Sequence, residues 1–562
     1  AGRAVEPTQG GVVSRHPAEG SPAAQEAKAR MHVPFTAEEL CAVVRRTGNS
    51  KAVLGALKPM MLKAALDHLA APLVAILNAC VQVGALPQVW AMSALVPIRK
   101  PGTAHQTPEG YRGIAVGTLH AKLYAGMLND RITAYTEAAG IRATGQAGFR
   151  RGFGCSDQTL ALRAIIERQR ARGQRLYACF VDFKQAFDRV PRDKLWFKLE
   201  RAGIDGWALR AVQALYSSVP FSVKTPAGFT PCFPSLMGVK QGCPLSPTLF
   251  GMYLDDFESG LLTSVGAEAA CLPTWESGVA VPPLFYADDQ GLLASQATGL
   301  QRQLGYLAEY CATWGLTVNT SKTKVVVYAA AAPRSVGDFH YQGTAVERVP
   351  SFKYLGVQLH SSHAFCSAGA ARAQAGKQAV HILRRRMAQC GLQSHPTLAM
   401  SLFDIFVRPV MSYGVEVWGP QLVVAALAGR APDTCEKVHL DFLRRLLGVR
   451  DTCCSLTVQA ETGRLPIVVG WAQQVARFVN RLTVLDDSRV AKQAMLDSVA
   501  LAATGGAAGS GRQCWAAEVG EMCRLLRQDT SFLRGHLPER MDIGEVADSA
   551  ACRHYGRYSG SS

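Results

Sequence analysis

Tyr286-Ala287-Asp288-Asp289 sets two adjacent carboxylates between the apolar run Pro283-Leu284-Phe285 and the small apolar run Gly291-Leu292-Leu293-Ala294. Successive side chains of an extended strand point to opposite faces, so neighbouring aspartates can serve one site only where the chain bends. Short apolar run, polar tip, short apolar run is the pattern of a β-hairpin with the aspartates at its turn. Two carboxylates held there repel each other and invite a hard divalent cation, which takes oxygen ligands. An Asp pair at a turn is by itself commonplace in solvated loops. A second acidic position raises it to a candidate site: Asp182 ends the run Leu176-Tyr177-Ala178-Cys179-Phe180-Val181. That run is too short for a typical helix and too apolar for a surface loop, and predicts a buried strand delivering one carboxylate at its end. A strand-end Asp and a hairpin Asp pair could hold two Mg²⁺ ions about 3.5–4 Å apart, the geometry that activates a 3′ hydroxyl and neutralises a leaving pyrophosphate. The chemistry indicated is phosphoryl or nucleotidyl transfer.

The chain has ample material to position such a site. Its 562 residues, 48% hydrophobic, are enough for two to four domains with sizeable cores and exclude a disordered protein. Sixty Lys and Arg against 43 Asp and Glu leave a net charge of +17, which suits a polyanion such as nucleic acid or an anionic membrane surface. The most apolar long stretch, 64–86, is interrupted by Asp67, His68, Pro72, Asn78 and Gln82 and reads as globular helices rather than a membrane span. The 16 cysteines include no paired C-x₂-C spacing and read as reduced thiols of an intracellular protein, nuclear or cytoplasmic. There is no signal peptide, and a start at Ala1 rather than Met suggests a fragment of a longer product.

In chain order, residues 1–30 are rich in Gly, Ala, Pro and charge and read as a flexible leader. Thr36 with Glu39 is a capping-box signature that opens helices filling most of 36–86. A short strand over 94–98 then meets the turn Arg99-Lys100-Pro101-Gly102, and Arg112 lies in Gly110-Tyr111-Arg112-Gly113-Ile114. Lys100 and Arg112, each an ordinary solvated charge alone, could together grip a triphosphate from a strand-turn-strand unit. A Gly-rich turn over 146–152 leads into a helix carrying Arg163, Arg168, Arg170 and Arg172, a basic face that could follow a phosphate backbone beside a metal site. After Asp182 come Phe183-Lys184-Gln185-Ala186-Phe187-Asp188 and a helix opened by Pro191 and closed by Gly203, with Leu195 and Leu199 on its inner face. The loop Gly238-Val239-Lys240-Gln241-Gly242-Cys243-Pro244-Leu245-Ser246-Pro247 could lie against a base pair, because its glycines permit close backbone approach. Ser246 as N-cap and Pro247 at N1 would start the next helix. Residues 263–282 read as a surface insertion. A helix near 297–313 precedes Gly315-Leu316-Thr317-Val318-Asn319-Thr320-Ser321-Lys322-Thr323-Lys324 and a Val-rich strand over 325–328, and 352–357 reads as another strand. From 367 to 485 the pattern is helical, with Arg384, Arg385 and Arg386 on one helix and Arg444 and Arg445 on another; 502–511 reads as a flexible linker.

Taken together, FVDFKQAFDRV, GVKQGCPLSPTLF, the YADD tetrad and GLTVNTSKTK, in that order, resemble a reverse transcriptase of the non-LTR, LINE-type retrotransposon family over roughly residues 35–470. The KQGC run and Tyr413-Gly414-Val415-Glu416-Val417-Trp418 look more like LINE elements than group II intron maturases, although YADD occurs in both. The resemblance implies an α+β right-hand fold: fingers around 36–175, a palm of sheet and helices around 176–360 within a reverse transcriptase domain of about 80–360, and a helical thumb around 365–485. It implies RNA-directed DNA synthesis from a 3′-hydroxyl DNA or RNA primer on an RNA template, with deoxynucleoside triphosphates and Mg²⁺ or Mn²⁺. By motif match, Asp182 and Asp288 are the principal metal ligands, Asp289 completes the carboxylate set, and the Phe183 carbonyl assists. Lys100 and Arg112 match finger positions that contact the incoming triphosphate. Phe187 matches the aromatic that blocks a ribose 2′ hydroxyl, Gln241 and Gly242 the loop near the templating pair, and Lys322 a palm lysine near the triphosphate. Arg163, Arg168, Arg384, Arg385, Arg444 and Arg445 are the candidate nucleic-acid contacts.

Two positions depart from the family pattern: Gly113 stands where Pro is usual, and Lys51-Ala52-Val53-Leu54-Gly55 lacks the usual Asp-Gly. They weaken the finger assignments and leave room for a catalytically dead copy that only binds RNA; in the same enzyme class the alternative is a group II intron-type or other cellular reverse transcriptase. No nuclease constellation is recognisable, and Cys453, Cys454, Cys514 and Cys523 lack knuckle spacing. The expectation is that an endonuclease comes from elsewhere in the reading frame or from another protein. The role of 486–562 is left unassigned.

Overall fold

The computed structural model describes residues 21–49, 52–100, 107, 110–217, 219–329, 337–362, 365, 367–430, 433–504, 514–530 and 540–555. Most of the expected leader, Lys51, Pro101, Gly102 and most of the expected 502–511 linker lie outside them. The chain divides into two compact units interleaved in sequence. One comprises Ala1–Arg151, Asp182–Gly266 and Gly305–Asn319; the other comprises Gly152–Val181, Ala267–Leu304 and Thr320–Ser562.

The first unit is helical around one mixed sheet. Strand β1 (Ser93–Arg99) pairs antiparallel with β2 (Tyr111–Gly117) and parallel with β4 (Pro220–Thr225); β5 (Gly228–Phe229) and β6 (Phe233–Pro234) pair with β4. The helix Pro22–Met31 forms where the sequence suggests a leader. Ser21 caps its first turn, Pro22 supplies the fixed φ of a first helical position, and Met31 is fully buried. The expected capping box is present: Thr36 Oγ1 accepts from Glu39 N at 3.3 Å, and Glu39 Oε2 accepts from Thr36 N at 3.0 Å. The same carboxylate pairs with buried Arg131, tying the helix Ala37–Arg46 to the helix Leu119–Ala138. Among the described residues one helix, Leu66–Val83, is long and apolar enough to cross a membrane. Its Leu66, Ala70, Val74, Leu77, Cys80 and Val81 are nevertheless buried inside this unit, and Asn78 clamps both backbone polar groups of Phe35.

The helix Arg192–Arg201 buries Leu195 and Leu199 completely. Its Lys198 donates to Tyr253 O (2.7 Å), Asp256 Oδ1 (2.7 Å) and Tyr310 OH (2.8 Å) under the ring of Trp314. Burial pushes this lysine down to about 8 despite the Asp256 charge. Ser246 is not the N-cap expected of it. The helix Ser246–Leu254 starts at it, with Leu245 as cap, because the Ser246 hydroxyl is paired with Tyr216 OH at 3.0 Å inside the unit.

In the second unit, β3 (Leu176–Val181) is one of the two inner strands of an antiparallel sheet ordered β7 (Leu284–Tyr286), β8 (Asp289–Ala294), β3, β9 (Lys324–Tyr328). Every residue of β3 is buried, which accounts for its continuous apolar run. Two hairpins follow: β10 (Phe339–Tyr341) with β11 (Thr344–Val346), and β12 (Ser351–Tyr354) with β13 (Val357–His360). The single strand expected over 352–357 is thus a hairpin. Leu355 and Gly356 make its two-residue turn, both at positive φ, which reverses the chain between Tyr354 and Val357.

One apolar core runs from the helix Cys155–Ala171 and β3 through the C-terminal helices to Trp515, Val546 and Ala550. Two expectations change accordingly. Residues 263–282 are not wholly a surface insertion, since Ala270, Trp275 and Val281 are buried. The segment after 485 is not a bare linker and tail: helices Val490–Ala503, Trp515–Leu525 and Ile543–Tyr555 pack on the rest of this unit.

Candidate functional site

The acidic pair does sit at a hairpin. Tyr286 pairs with Asp289 at the mouth of β7 and β8, Ala287 turns the chain at φ +58°, and Asp288 completes the turn. Tyr286 hydrogen-bonds the thiol of Cys155, which pushes its phenol up to about 12 and pins the hairpin base to the helix Cys155–Ala171. Strand β8 pairs antiparallel with β3, Gln290 opposite Val181. One peptide bond outward from that pair the chain reads Asp289 on one strand and Asp182 on the other. The Asp182 carboxylate is held from the GLTVN segment of its own unit: Asn319 Nδ2 donates to Oδ2 at 3.0 Å, and Asn319 N donates to the Asp182 carbonyl at 2.7 Å. Phe183 bridges Val318 in the same ladder. Asn319 was not singled out in the sequence, and an amide side chain immediately after an apolar run was its only signal. Each of the three aspartates offers carboxylate oxygens at a partly or fully exposed position, the donor type that a hard divalent cation takes. Among the described residues no group of three or more His, Cys, Asp or Glu side chains is gathered as a preformed cage.

The first unit brings together most of the other predicted positions. Phe187, half-buried, stacks on Phe250 at 4.5 Å and meets Phe149 edge-on at 6.3 Å. Gln241 carries the loop onto β2, its carbonyl accepting from Ala115 N at 2.7 Å. Gly242 is required there: φ is +105°, and a Cβ would stand 2.8 Å from the Ala115 carbonyl oxygen. Arg112 is exposed on β2 opposite Ile98, and Lys100 N closes the base of the β1–β2 unit on Gly110 O at 2.8 Å. Asp188 accepts from Gln241 Nε2. Lys240, next to Gln241, is buried, donates to Leu215 O and is pushed down to about 8 by that burial. In the second unit, Lys322 is exposed in the turn before β9.

The arginines divide. Arg163 and Arg168 are buried, and neither forms part of a phosphate-facing surface. Arg163 pairs with Glu167 at 2.6 Å and Glu518 at 2.8 Å and donates to Val417 O; Arg168 pairs with Asp497 at 3.0 Å and with Glu276. The carboxylates that neutralise them lie, Glu167 apart, more than a hundred residues away in sequence, so the helix reads as a basic face until the chain is folded. Arg170 likewise donates to Ser361 O and Ser362 O. Arg444 closes a loop through Cys453 O and Ser455 Oγ. Arg384, Arg385 and Arg445 remain at the surface with Lys377 and His381. These five line a groove of about 760 Å³ between helices Ala368–Gln389 and Thr434–Leu447, to which Asp441 adds one acid.

The Arg163 cluster carries a pH signature. Burial, aided by Glu167, outweighs Arg163 and lifts Glu518 from the ordinary 4.5 to about 7. A carboxyl whose folded pKa is raised contributes stability that is complete below about 4.5 and is lost as pH rises through about 7. The total is at most on the order of 3 kcal/mol. Melting of the second unit is therefore expected to weaken between pH 5 and pH 7.5, and Glu518→Gln to flatten that slope. An unchanged slope in the variant would assign the trend to other groups.

Residues 98–359 match the reverse transcriptase (RNA-dependent DNA polymerase) family. The chain is 27% identical over 357 residues to the probable RNA-directed DNA polymerase from transposon BS of Drosophila melanogaster, covering 61% of this chain and 37% of that protein. It is 24% identical over 355 residues to the RNA-directed DNA polymerase from mobile element jockey of the same species, covering 61% and 37%, and 24% identical over 405 residues to the probable polymerase from its transposon X-element, covering 69% and 42%. The chain thus spans about two fifths of the length of these relatives.

Proposed function

We propose that this chain is the polymerase part of a non-LTR retrotransposon protein and extends a 3′-hydroxyl primer on an RNA template with deoxynucleoside triphosphates. The observation that carries the reading is the β3–β8 register, which runs the chain into Asp182 and Asp289 at the same end of two neighbouring strands, beside the Asp288 turn. In this reading Asp182, Asp288 and Asp289 hold the divalent cations and the Phe183 carbonyl assists. Bound Mg²⁺ supplies Lewis-acid activation of the primer hydroxyl and charge neutralisation at the leaving pyrophosphate. Asn319 fixes the orientation of one ligand. Lys100 and Lys322 bind the triphosphate as point charges and Arg112 through its planar fork of N–H donors, Gln241 and Gly242 present backbone and amide to the templating pair, and Phe187 stands beside the sugar. The first unit then supplies the fingers and part of the palm, and the second the Asp-hairpin sheet and a helical thumb. The thumb groove of Lys377, His381, Arg384, Arg385 and Arg445 follows the phosphate backbone of the primer-template duplex. Strand nicking is assigned to a nuclease outside this chain, and no membrane partner is invoked.

Primer extension on an RNA template with and without Mg²⁺ tests the reading. Mg²⁺-dependent synthesis supports it, and RNA binding without synthesis under either condition leaves an inactive RNA-binding copy. Phe187→Val is expected to cut discrimination against ribonucleotides by about tenfold or more while deoxynucleotide incorporation changes little, because the ring excludes a 2′ hydroxyl by a clash rather than by a missing contact. Its stack on Phe250 survives only in part, so a melting curve separates lost packing from lost selectivity. An unaltered incorporation ratio would leave Phe187 as a core side chain.

A further inference from the structure

The turn that follows Asp182 is fastened to the Gly238–Gly242 loop by backbone hydrogen bonds. Val239 N donates to Phe187 O at 2.8 Å, Gly238 N to Val190 O at 2.9 Å, and within the turn Asp188 N and Arg189 N donate to Gln185 O at 3.0 and 3.1 Å. At Gly238, φ is +79° and a Cβ would lie 2.5 Å from the Asp188 carbonyl oxygen, so the two segments touch main chain to main chain. This fastening needs no Asp188 carboxylate, and the side chain is exposed rather than built into the core. It nevertheless has a partner. Gln241 Nε2 stands 3.3 Å from both Asp188 oxygens. The carboxyl is held above its usual range because desolvation outweighs the Gln241 hydrogen bond and the charge of nearby Lys100. One carboxylate therefore holds the side chain assigned above to the templating pair.

We propose that Asp188 is a positioning residue for deoxynucleoside triphosphate binding, holding the Gln241 amide in place at the templating pair before the nucleotide arrives. The proposal rests on the polymerase reading above and adds to it a residue that touches neither the cations nor the transferred phosphoryl group. An amide has two ends. With Nε2 committed to Asp188, Oε1 of Gln241 is directed away from the turn as an acceptor of fixed orientation, whereas an untethered glutamine must be ordered at each binding event.

The test is steady-state primer extension by the full chain with Asp188→Ala, Asp188→Asn, Gln241→Ala and the Asp188→Ala/Gln241→Ala double variant, with Asp182→Asn in parallel. Asp188→Ala is expected to raise KM for the triphosphate about tenfold with kcat within about threefold, the range set by losing one charge-assisted hydrogen bond at an exposed site. Asp188→Asn retains an acceptor for Gln241 and is expected to recover part of that loss. The double variant should be no worse than Gln241→Ala alone, because the two side chains act as one element. Multiplicative effects in the double variant, or an unchanged KM in Asp188→Ala, would overturn the proposal while leaving the polymerase reading intact, provided Asp182→Asn is inactive. Extension by Asp182→Asn would overturn both. If Asp188→Ala melts well below the parent chain, the near-isosteric Asp188→Asn decides: a fall in kcat and RNA affinity together with KM would make Asp188 structural, and a KM effect alone would support positioning.

Discussion

Asp288→Asn is expected to lower primer extension on the order of a thousandfold or more while RNA affinity stays within about threefold of the parent chain. The substitution preserves size and hydrogen-bonding capacity and removes one negative charge from a turn that already forces two carboxylates side by side. Neutralising one partner lowers the like-charge repulsion at that turn, so the substitution should not unfold the hairpin. The turn's conformation depends on Ala287 at φ +58° and on the Tyr286–Asp289 pair. Its base is held by the Tyr286–Cys155 contact and by β8 against β3, none of which involves the Asp288 charge. Binding should survive because the cationic groove of Lys377, Arg384, Arg385 and Arg445 is remote in sequence from the hairpin and keeps its charge. Full extension by the variant would remove Asp288 from the site. Loss of extension accompanied by an equal loss of RNA affinity and of melting temperature would mean that the hairpin had collapsed.

Trp515→Ala is expected to destabilise the second unit by about 3–5 kcal/mol, among the largest costs a single truncation in this chain can have. The indole is completely buried, meets Phe478 edge-on, and donates from Nε1 to the Glu416 carbonyl at 2.8 Å, so truncation leaves both a cavity and an unpaired buried acceptor. Its neighbours tie the C-terminal helices to the core: Trp515 N donates to Glu167 Oε2 at 3.1 Å, Ala516 N to Ser498 Oγ at 3.0 Å, and Asn480 makes a reciprocal pair with the backbone of Met541 at 2.8 and 3.0 Å. Chemical denaturation followed by tryptophan fluorescence and circular dichroism checks this. A loss below about 1 kcal/mol would make the C-terminal helices a peripheral appendage. Cutting the chain at 485 cannot be used to look for an activity of the tail, because it removes part of the core.

What the sequence determined by itself is local. The all-apolar β3, the Asp hairpin, the Thr36–Glu39 capping box and the helix opened by Pro191 each depend on residues within about ten positions of one another, and their periodicity and turn chemistry were enough to find them. Motif order was enough to indicate the chemistry, because the residues of each motif lie together in the chain. What only the tertiary structure decided depends on partners distant in sequence. Arg163 and Arg168 read as a phosphate-facing surface until Glu518, Asp497 and Glu276 are brought onto the same helix and neutralise them. Ser246 loses its capping role to Tyr216, thirty residues upstream. Asn319 gains a role at Asp182 from 137 residues away. Trp275 and Trp515 enter a core that no local pattern announces, because burial is a property of the surface that comes to cover a residue and not of the residue itself.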